Sequence, residues 1–281
     1  MSKLRRPSVA ATNDARCPAG LAVESPYFGK RMKWAGALIL LTASAARAQT
    51  ALEIAEKAQQ RTRSQSERYE GMLQVIDSKR KVTEKRWTFD RIGSHGNSKT
   101  ILRFTAPAEV KGVALLIANH PDRASDQWMW TPALERDRRV ALQDRSGRFF
   151  GTDFSFEDLE ERDVSQFDYK LLGDDTAGGA ACWKLESRPK QSKSSQYSSS
   201  QLWIRKDNYV IVRIDNAHKD KLVRRIEYAN LENVQNIWTP KKLEVTDFAR
   251  KSRTVLTIDN LRYNTAMKDS DFSVEALRRS P

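Results

Sequence analysis

The densest group of reactive side chains in this sequence is acidic. Asp153, Glu157, Asp158, Glu160, Glu161 and Asp163 crowd into one short run directly after Phe149-Phe150-Gly151-Thr152. Carboxylates at this density can hold a calcium ion or pair with cations. A calcium site needs several oxygens converging at about 2.3–2.6 Å, usually from a Gly-containing loop, and this run lacks that loop's spacing. A solvated helix face, or pairing with Arg136, Arg138, Arg139 and Arg145, accounts for it more simply. The histidines His95, His120 and His218 are scattered through turn-like contexts. The sequence has no His-x-x-x-His, no Cys-x-x-Cys and no Gly-x-Ser-x-Gly, so neither a metal centre nor an activated nucleophile is written locally into the chain. The expectation is a protein that is not an enzyme and needs no metal and no cofactor.

The aromatic residues point elsewhere. Gln127-Trp-Met-Trp-Thr-Pro-Ala-Leu134 and Phe149-Phe-Gly-Thr-Asp-Phe-Ser-Phe-Glu-Asp-Leu159 place Trp128, Trp130, Phe149, Phe150, Phe154 and Phe156 beside turn residues and acids. That suits a surface that holds something apolar rather than one that breaks a bond. Trp128 and Trp130 are two apart and share one face of a strand. They line an acyl cavity or they are plain core, since large aromatics dominate both. The four phenylalanines form either a mobile flap or a loop pinned to the core. Gly151 supplies a turn there that a side chain would hinder.

These residues need elements to position them. Thr50-Ala-Leu-Glu53 has the pattern of a capping box and opens a helix through about Arg63, with Leu52, Ile54, Ala55 and Ala58 as its apolar side. Strands follow. Trp87 and Phe89 alternate with Arg86, Thr88 and Asp90, and Leu102 and Phe104 flank Arg103. Val113 to Ile117 is a continuous apolar run, and Leu202 to Tyr228 reads as a three-stranded meander. Turn signals at Gly93 and Gly96, 174–179, 206–208 and 216–220 separate them, and Ser192 to Ser200 reads as a polar loop or an exposed strand edge. Short helices are expected at 155–161 and 271–279. So many antiparallel strands must hide one face against a second sheet, in a closed barrel, or around helices. The early helix and the helical insertion favour an α+β fold, mainly β: a curved antiparallel half-barrel sheet covered by a helical lid.

Residues 30–48 have the order of a secretory signal, with Lys30, Arg31 and Lys33, the apolar stretch Trp34 to Leu41, and Ala46-Arg47-Ala48 as the cleavage site. The apolar stretch is shorter than the roughly 20 residues a membrane span needs. No Cys follows it, so no lipid anchor is expected, and the mature protein belongs in the periplasm. Residues 1–48 contribute eight basic and two acidic residues, +6 of the chain's +13, leaving +7 on residues 49–281. That modest excess suits anionic lipid or an acidic partner, whereas no nucleic-acid motif is present. Cys17 leaves with the leader, and Cys182, the remaining cysteine, reads as a packed strand residue. Residues 49–281 are expected to form one domain and a monomer.

Four groups of residues carry a resemblance. They are Phe104-Thr-Ala-Pro107 with Lys111-Gly112 and Ala114-Leu115-Leu116; Trp128-Met-Trp130 with Pro132-Ala-Leu134 and Arg136, Arg138 and Arg139; Phe150-Gly-Thr-Asp-Phe-Ser-Phe-Glu-Asp-Leu159; and Leu202-Trp203-Ile204 with Trp238-Thr-Pro240 and Thr254. In this order, over roughly residues 50–280, they resemble the LolA-like outer-membrane lipoprotein-sorting proteins. Thr152 stands where a Ser is common and Trp130 where a Tyr is common. The resemblance implies a half-open antiparallel barrel with a helical lid, and a carrier of lipoprotein or other lipid from inner towards outer membrane. It implies as partners the lipid cargo, an inner-membrane transporter of the RND or ABC type, and an outer-membrane acceptor. On this basis Phe104, Leu115, Ile117, Trp128, Trp130, Phe154, Phe156, Leu202, Ile204 and Val212 are the candidates for a lipid-binding cavity, and Arg136, Arg138 and Arg139 those for partner docking. The alternative is a periplasmic regulatory or accessory module working with an inner-membrane exporter or regulator.

Overall fold

A computed structural model describes residues 49–279; the signal reading at 30–48 lies outside the described residues. The chain opens with α1, Ala51–Gln60. The capping box is formed: Thr50 Oγ1 accepts from the Glu53 amide, and the Glu53 carboxylate accepts from the Thr50 amide. A helix this short is marginal in water, so packing must hold it. Ile54, Ala55 and Ala58 are buried in the main core, and full burial of a side chain such as Ile54 is worth about 1.5–3 kcal/mol.

Thirteen strands form one antiparallel sheet. They are β1 Ser66–Ile76, β2 Val82–Ser94, β3 Asn97–Ala106, β4 Ala114–Ala118, β5 Asp126–Thr131, β6 Arg136–Arg139, β7 Phe167–Ala177, β8 Ala180–Pro189, β9 Ser199–Arg205, β10 Ile211–His218, β11 Lys221–Val234, β12 Ile237–Asp247 and β13 Ser252–Tyr263. The spatial order is β6-β5-β4-β3-β2-β1-β13-β12-β11-β10-β9-β8-β7. The chain therefore walks outward from β1 to one edge, crosses to the other edge, and walks back until β13 pairs with β1. The sheet is large, curved and unclosed, with β6 and β7 as its two edges.

Alternation splits each strand between two faces. Leu73 of β1, Trp87 of β2, Leu102 and Phe104 of β3, Leu115 and Ile117 of β4 and Leu202 and Ile204 of β9 point into the main core. This inner face is covered by α1 and by the connection between β6 and β7. Gly71 of β1 is where Trp87 lies across the neighbouring strand: a Cβ there would fall 2.1 Å from Trp87 Nε1. On the outer face Ile101, Ala114 and Leu116 form a separate cluster with Phe272, Ala276 and Leu277. The buried Arg103 fastens those last residues, donating to Leu277 O at 2.7 Å and Ala276 O at 2.9 Å.

The helical cover is thinner than the pattern predicts. α1 is the one α-helix among the described residues. Residues 155–161 contain only the 3-10 turn Glu157–Leu159, and the C-terminus has the 3-10 turns Asp269–Asp271 and Glu275–Arg278. In the first of these, side-chain bonds to distant strands hold the backbone in place of a propagating helix.

Candidate functional site

The connection from Ala141 to Gln166 joins the two edge strands, so it spans the open mouth of the half-barrel as a strap. Its aromatics face inward. Phe149 is fully buried and stacks on Phe104 with ring centroids 5.3 Å apart. Phe150 and Phe156 meet Phe149 edge-on, and Phe154 lies 6.1 Å from Trp87. These residues are thus pinned to the core. Phe150 and Gly151 make the turn with φ of 43° and 75°, a conformation Gly adopts without strain.

The acids of the strap are its fastenings, not a solvated face. Asp153 is completely buried and accepts from Ser252 Oγ at 2.6 Å, Thr254 Oγ1 at 2.8 Å and Arg148 Nη2 at 3.1 Å. Asp158 takes Arg224 Nη1 at 2.6 Å and the Tyr197 hydroxyl at 2.7 Å. Glu160 takes Arg145 Nη1 at 2.9 Å and Lys193 Nζ at 2.7 Å. Glu161 closes the β2–β3 turn, accepting from the His95 and Gly96 amides and from Ser98 Oγ. Asp163 caps the next turn through the Ser165 amide. Burial pushes the Glu157 carboxyl up, although Ser195 Oγ and the Gln196 amide donate to it. Of the arginines expected as partners only Arg145 serves. Arg139 pairs with Asp126 instead, because Arg136, Arg138 and Arg139 lie on edge strand β6, across the register from β5 rather than under the strap. Arg136 and Arg138 are exposed. Among the described residues no group of three or more His, Cys, Asp or Glu is placed to hold a metal.

Between α1, the strap and strands β7, β9 and β10 a hollow of about 190 Å³ remains. Ala55, Ala58, Leu202, Ile204 and Ile211 give it apolar walls, and Arg61 and Arg162 also line it. It is smaller than the roughly 300–1,000 Å³ usual for a ligand pocket, so in this conformation the strap's own phenylalanines fill most of the interior. A larger depression of about 730 Å³ lies between the β1–β2 and β12–β13 turns, with Arg80, Val82, Phe248 and Lys251 on its rim. Those residues are exposed, so a chain resting there would stay in water. The smaller hollow, walled by core side chains, is the better candidate.

The structure does not bring every expected cavity residue together. Phe104, Leu115, Ile117, Phe154, Phe156, Leu202 and Ile204 all join the main core. Trp128 and Trp130 do share a face, but it is the outer one, against Ile101, Leu116 and Leu277; Met129 between them faces in. Val212 packs outside with Cys182, Trp203 and Val210, because a register irregularity between Ile211 and Arg213 turns Ile211 inward. Burial pushes the Cys182 thiol up, as expected for a packed thiol. Sequence reading missed Arg224, Tyr197, Ser252 and Lys193 as anchors of the strap. Arg224 and Lys193 carried a signal only as polar residues among strand and loop patterns, with no local partner.

A family model described as "-like: Uncharacterized protein" matches residues 96–279. No curated protein matches the chain. Among solved structures it is similar to a DUF1329 family protein from Desulfovibrio piger, at 28% identity and a TM-score of 0.77, covering 81% of this chain and 97% of that one. It is similar also to a putative outer membrane lipoprotein-sorting protein domain from Vibrio parahaemolyticus, at 24% identity and a TM-score of 0.77, over 82% of this chain and 98% of that one. A LolA superfamily protein from Nitrosomonas europaea matches at 20% identity and a TM-score of 0.66, over 82% of this chain and all 100% of the other. The last two likenesses establish the shared fold.

Proposed function

We propose that this chain, which belongs to the family matched over residues 96–279 and shares the fold of the lipoprotein-sorting domain and the LolA superfamily protein described above, is a periplasmic carrier of lipid acyl chains. The cargo is a lipoprotein or another long-chain lipid, moved from inner towards outer membrane. The observation that carries this reading is the apolar hollow between α1 and the inner face of an unclosed sheet, spanned by a strap. Phe104, Leu115, Ile117, Phe154, Phe156, Leu202 and Ile204 wall the space that opens when the strap lifts. Each buried methylene of the cargo contributes about 0.8 kcal/mol. Release then needs a partner that favours the opened state, because a ligand shifts an equilibrium only by its differential affinity. The role is binding and release rather than catalysis.

Residues 30–48 direct export and residues 49–281 form the carrier domain. Arg136 and Arg138 on the edge strand, beside Leu134 at 72% exposure, form the docking face for an inner-membrane transporter of the RND or ABC type or for the outer-membrane acceptor. Native mass spectrometry of protein purified from cell envelopes tests the carrier reading. A stoichiometric co-purified lipid or lipoprotein supports it. A clean apo mass with no uptake of added fluorescent fatty acid contradicts it and favours an accessory protein-binding module.

A further inference from the structure

Two guanidinium groups line the hollow, and neither has a carboxylate within ion-pair reach among the described residues. Arg61, at the end of α1, donates from Nε to Tyr209 O at 3.1 Å and from Nη1 to Trp238 O. Arg162, at the end of the strap, donates to Ser187 Oγ and lies 3.7 Å over the Phe167 ring, and its buried Nε has no hydrogen-bond partner. The two come from opposite covers of the barrel yet act on one hydroxyl. Burial and then Asp158 push Tyr228 up to about 12, while Arg162 and Arg61 draw it down. Burial lowers Arg61 itself to about 10, the mark of a cation held where its charge is poorly solvated.

Among the described residues, the cations with buried side chains are matched. Arg91 meets Glu67, Arg145 and Lys193 meet Glu160, and Arg224 meets Asp158. Arg103, on the outer face, is satisfied by two carbonyls. Glu161 also lines the hollow, but its carboxylate is taken by two amides and a hydroxyl of the β2–β3 turn. What remains is a chamber with apolar walls and two guanidiniums that lack a carboxylate partner; Arg61 rests on two carbonyls, as Arg103 does, and Arg162 keeps an unpartnered buried Nε. A guanidinium fork binds carboxylate or phosphate oxygens with paired, charge-assisted hydrogen bonds.

We propose that Arg61 and Arg162 grip the anionic head of a single-chain amphiphile, whose alkyl chain packs on Ala55, Ala58, Leu202 and Ile204. The inference rests on the carrier reading and adds the charge of the cargo to it. A dry cavity of about 150 Å³ holds a benzene ring, so the hollow of about 190 Å³ takes the first carbons of the chain. The remainder displaces the strap.

Isothermal titration of the purified protein with sodium decanoate, 1-decanol and inorganic phosphate tests this. Decanoate and decanol share a chain and differ in the head. Decanoate is expected to bind at least about tenfold more tightly than decanol, the size of a charge-assisted contact, and phosphate alone not to bind. Arg61→Gln and Arg162→Gln should each weaken decanoate about tenfold and leave decanol unchanged, with Arg162→Lys keeping part of the affinity. A circular-dichroism melt confirms that each variant is folded, and Arg162→Gln carries the test alone if the helix-terminal Arg61→Gln is not. Equal binding of decanoate and decanol, or decanoate binding indifferent to both substitutions, overturns the inference and leaves the carrier reading standing. Binding of neither overturns the carrier reading as well. Phosphate alone binding as tightly as decanoate overturns the amphiphile in favour of a free anion.

Discussion

Arg224 on β11 holds Asp158 of the strap at 2.6 Å, and the two side chains are only 7% and 2% exposed. One strand of the returning half of the sheet is thereby tied to the middle of the segment that spans the mouth. Tyr197 donates to the same carboxylate, and Asp247 lies 3.5 Å from Arg224 Nη2. A buried charge left wholly unpaired costs about 3–5 kcal/mol; without Asp158, Arg224 keeps only the longer ion-pair contact to Asp247, so the loss falls below that range. Asp158→Ala should therefore lower the melting temperature sharply, and Asp158→Ala with Arg224→Met should recover part of the loss. Urea denaturation of the single and double variants measures the difference.

Asp153 is the second fastening, and its substitution separates the strap's mobility from the core. Asp153→Asn removes the charge that Arg148, Ser252 and Thr254 surround. The strap should open more often, so a fluorescent fatty acid should associate several-fold faster, while the far-ultraviolet spectrum stays that of the same sheet. Limited proteolysis should cut first between Ala141 and Gln166.

These fastenings also show how far the sequence is legible. The capping box at Thr50 and Glu53 is local, with its partners three residues apart, and it forms as read. The alternation of Leu102, Arg103 and Phe104 is equally local, and the faces follow it: Leu102 and Phe104 enter the main core while Arg103 turns to the outer face, where the C-terminal residues bury it too. The meander over Leu202 to Tyr228 appears as β9, β10 and β11. What alternation cannot reveal is which side of the sheet becomes the inside. Trp128 and Trp130 share a face as expected, yet it is the outer one. The bond from Asp153 to Thr254 likewise joins residues 101 positions apart, so no local pattern distinguishes a buried acid from a solvated one.

Phe149 sets the size of the hollow's neighbour space. It is fully buried and packed against Phe104, Phe150 and Phe156. Phe149→Ala should cost about 3–5 kcal/mol and leave a void. If that void joins the hollow, the variant should take longer alkyl chains than the parent, which a chain-length series in a displacement assay would register.

Acid should loosen the far side of the sheet through Asp215. Burial works to raise its pKa, but Arg213 and Arg225, each bonded to both carboxylate oxygens, hold it below the usual 3.8. A depressed folded pKa contributes stability that is present above the unfolded value and is lost as pH falls through the folded one. Unfolding free energy should accordingly decline below about pH 4. Asp215→Asn should be less stable at neutral pH and flatter across that window; identical slopes for variant and parent would contradict the assignment.

Photo-crosslinking with a fatty acid carrying a diazirine on its chain tests the central claim most directly, because it reports where the chain lies. Label is predicted on peptides containing Ala55 and Ala58, Leu202 and Ile204, and Ile211, with the outer-face peptide of Trp128 and Trp130 unlabelled. Label confined to that outer face or to the groove beside Phe248, or no label above a protein without a hollow, would contradict the account.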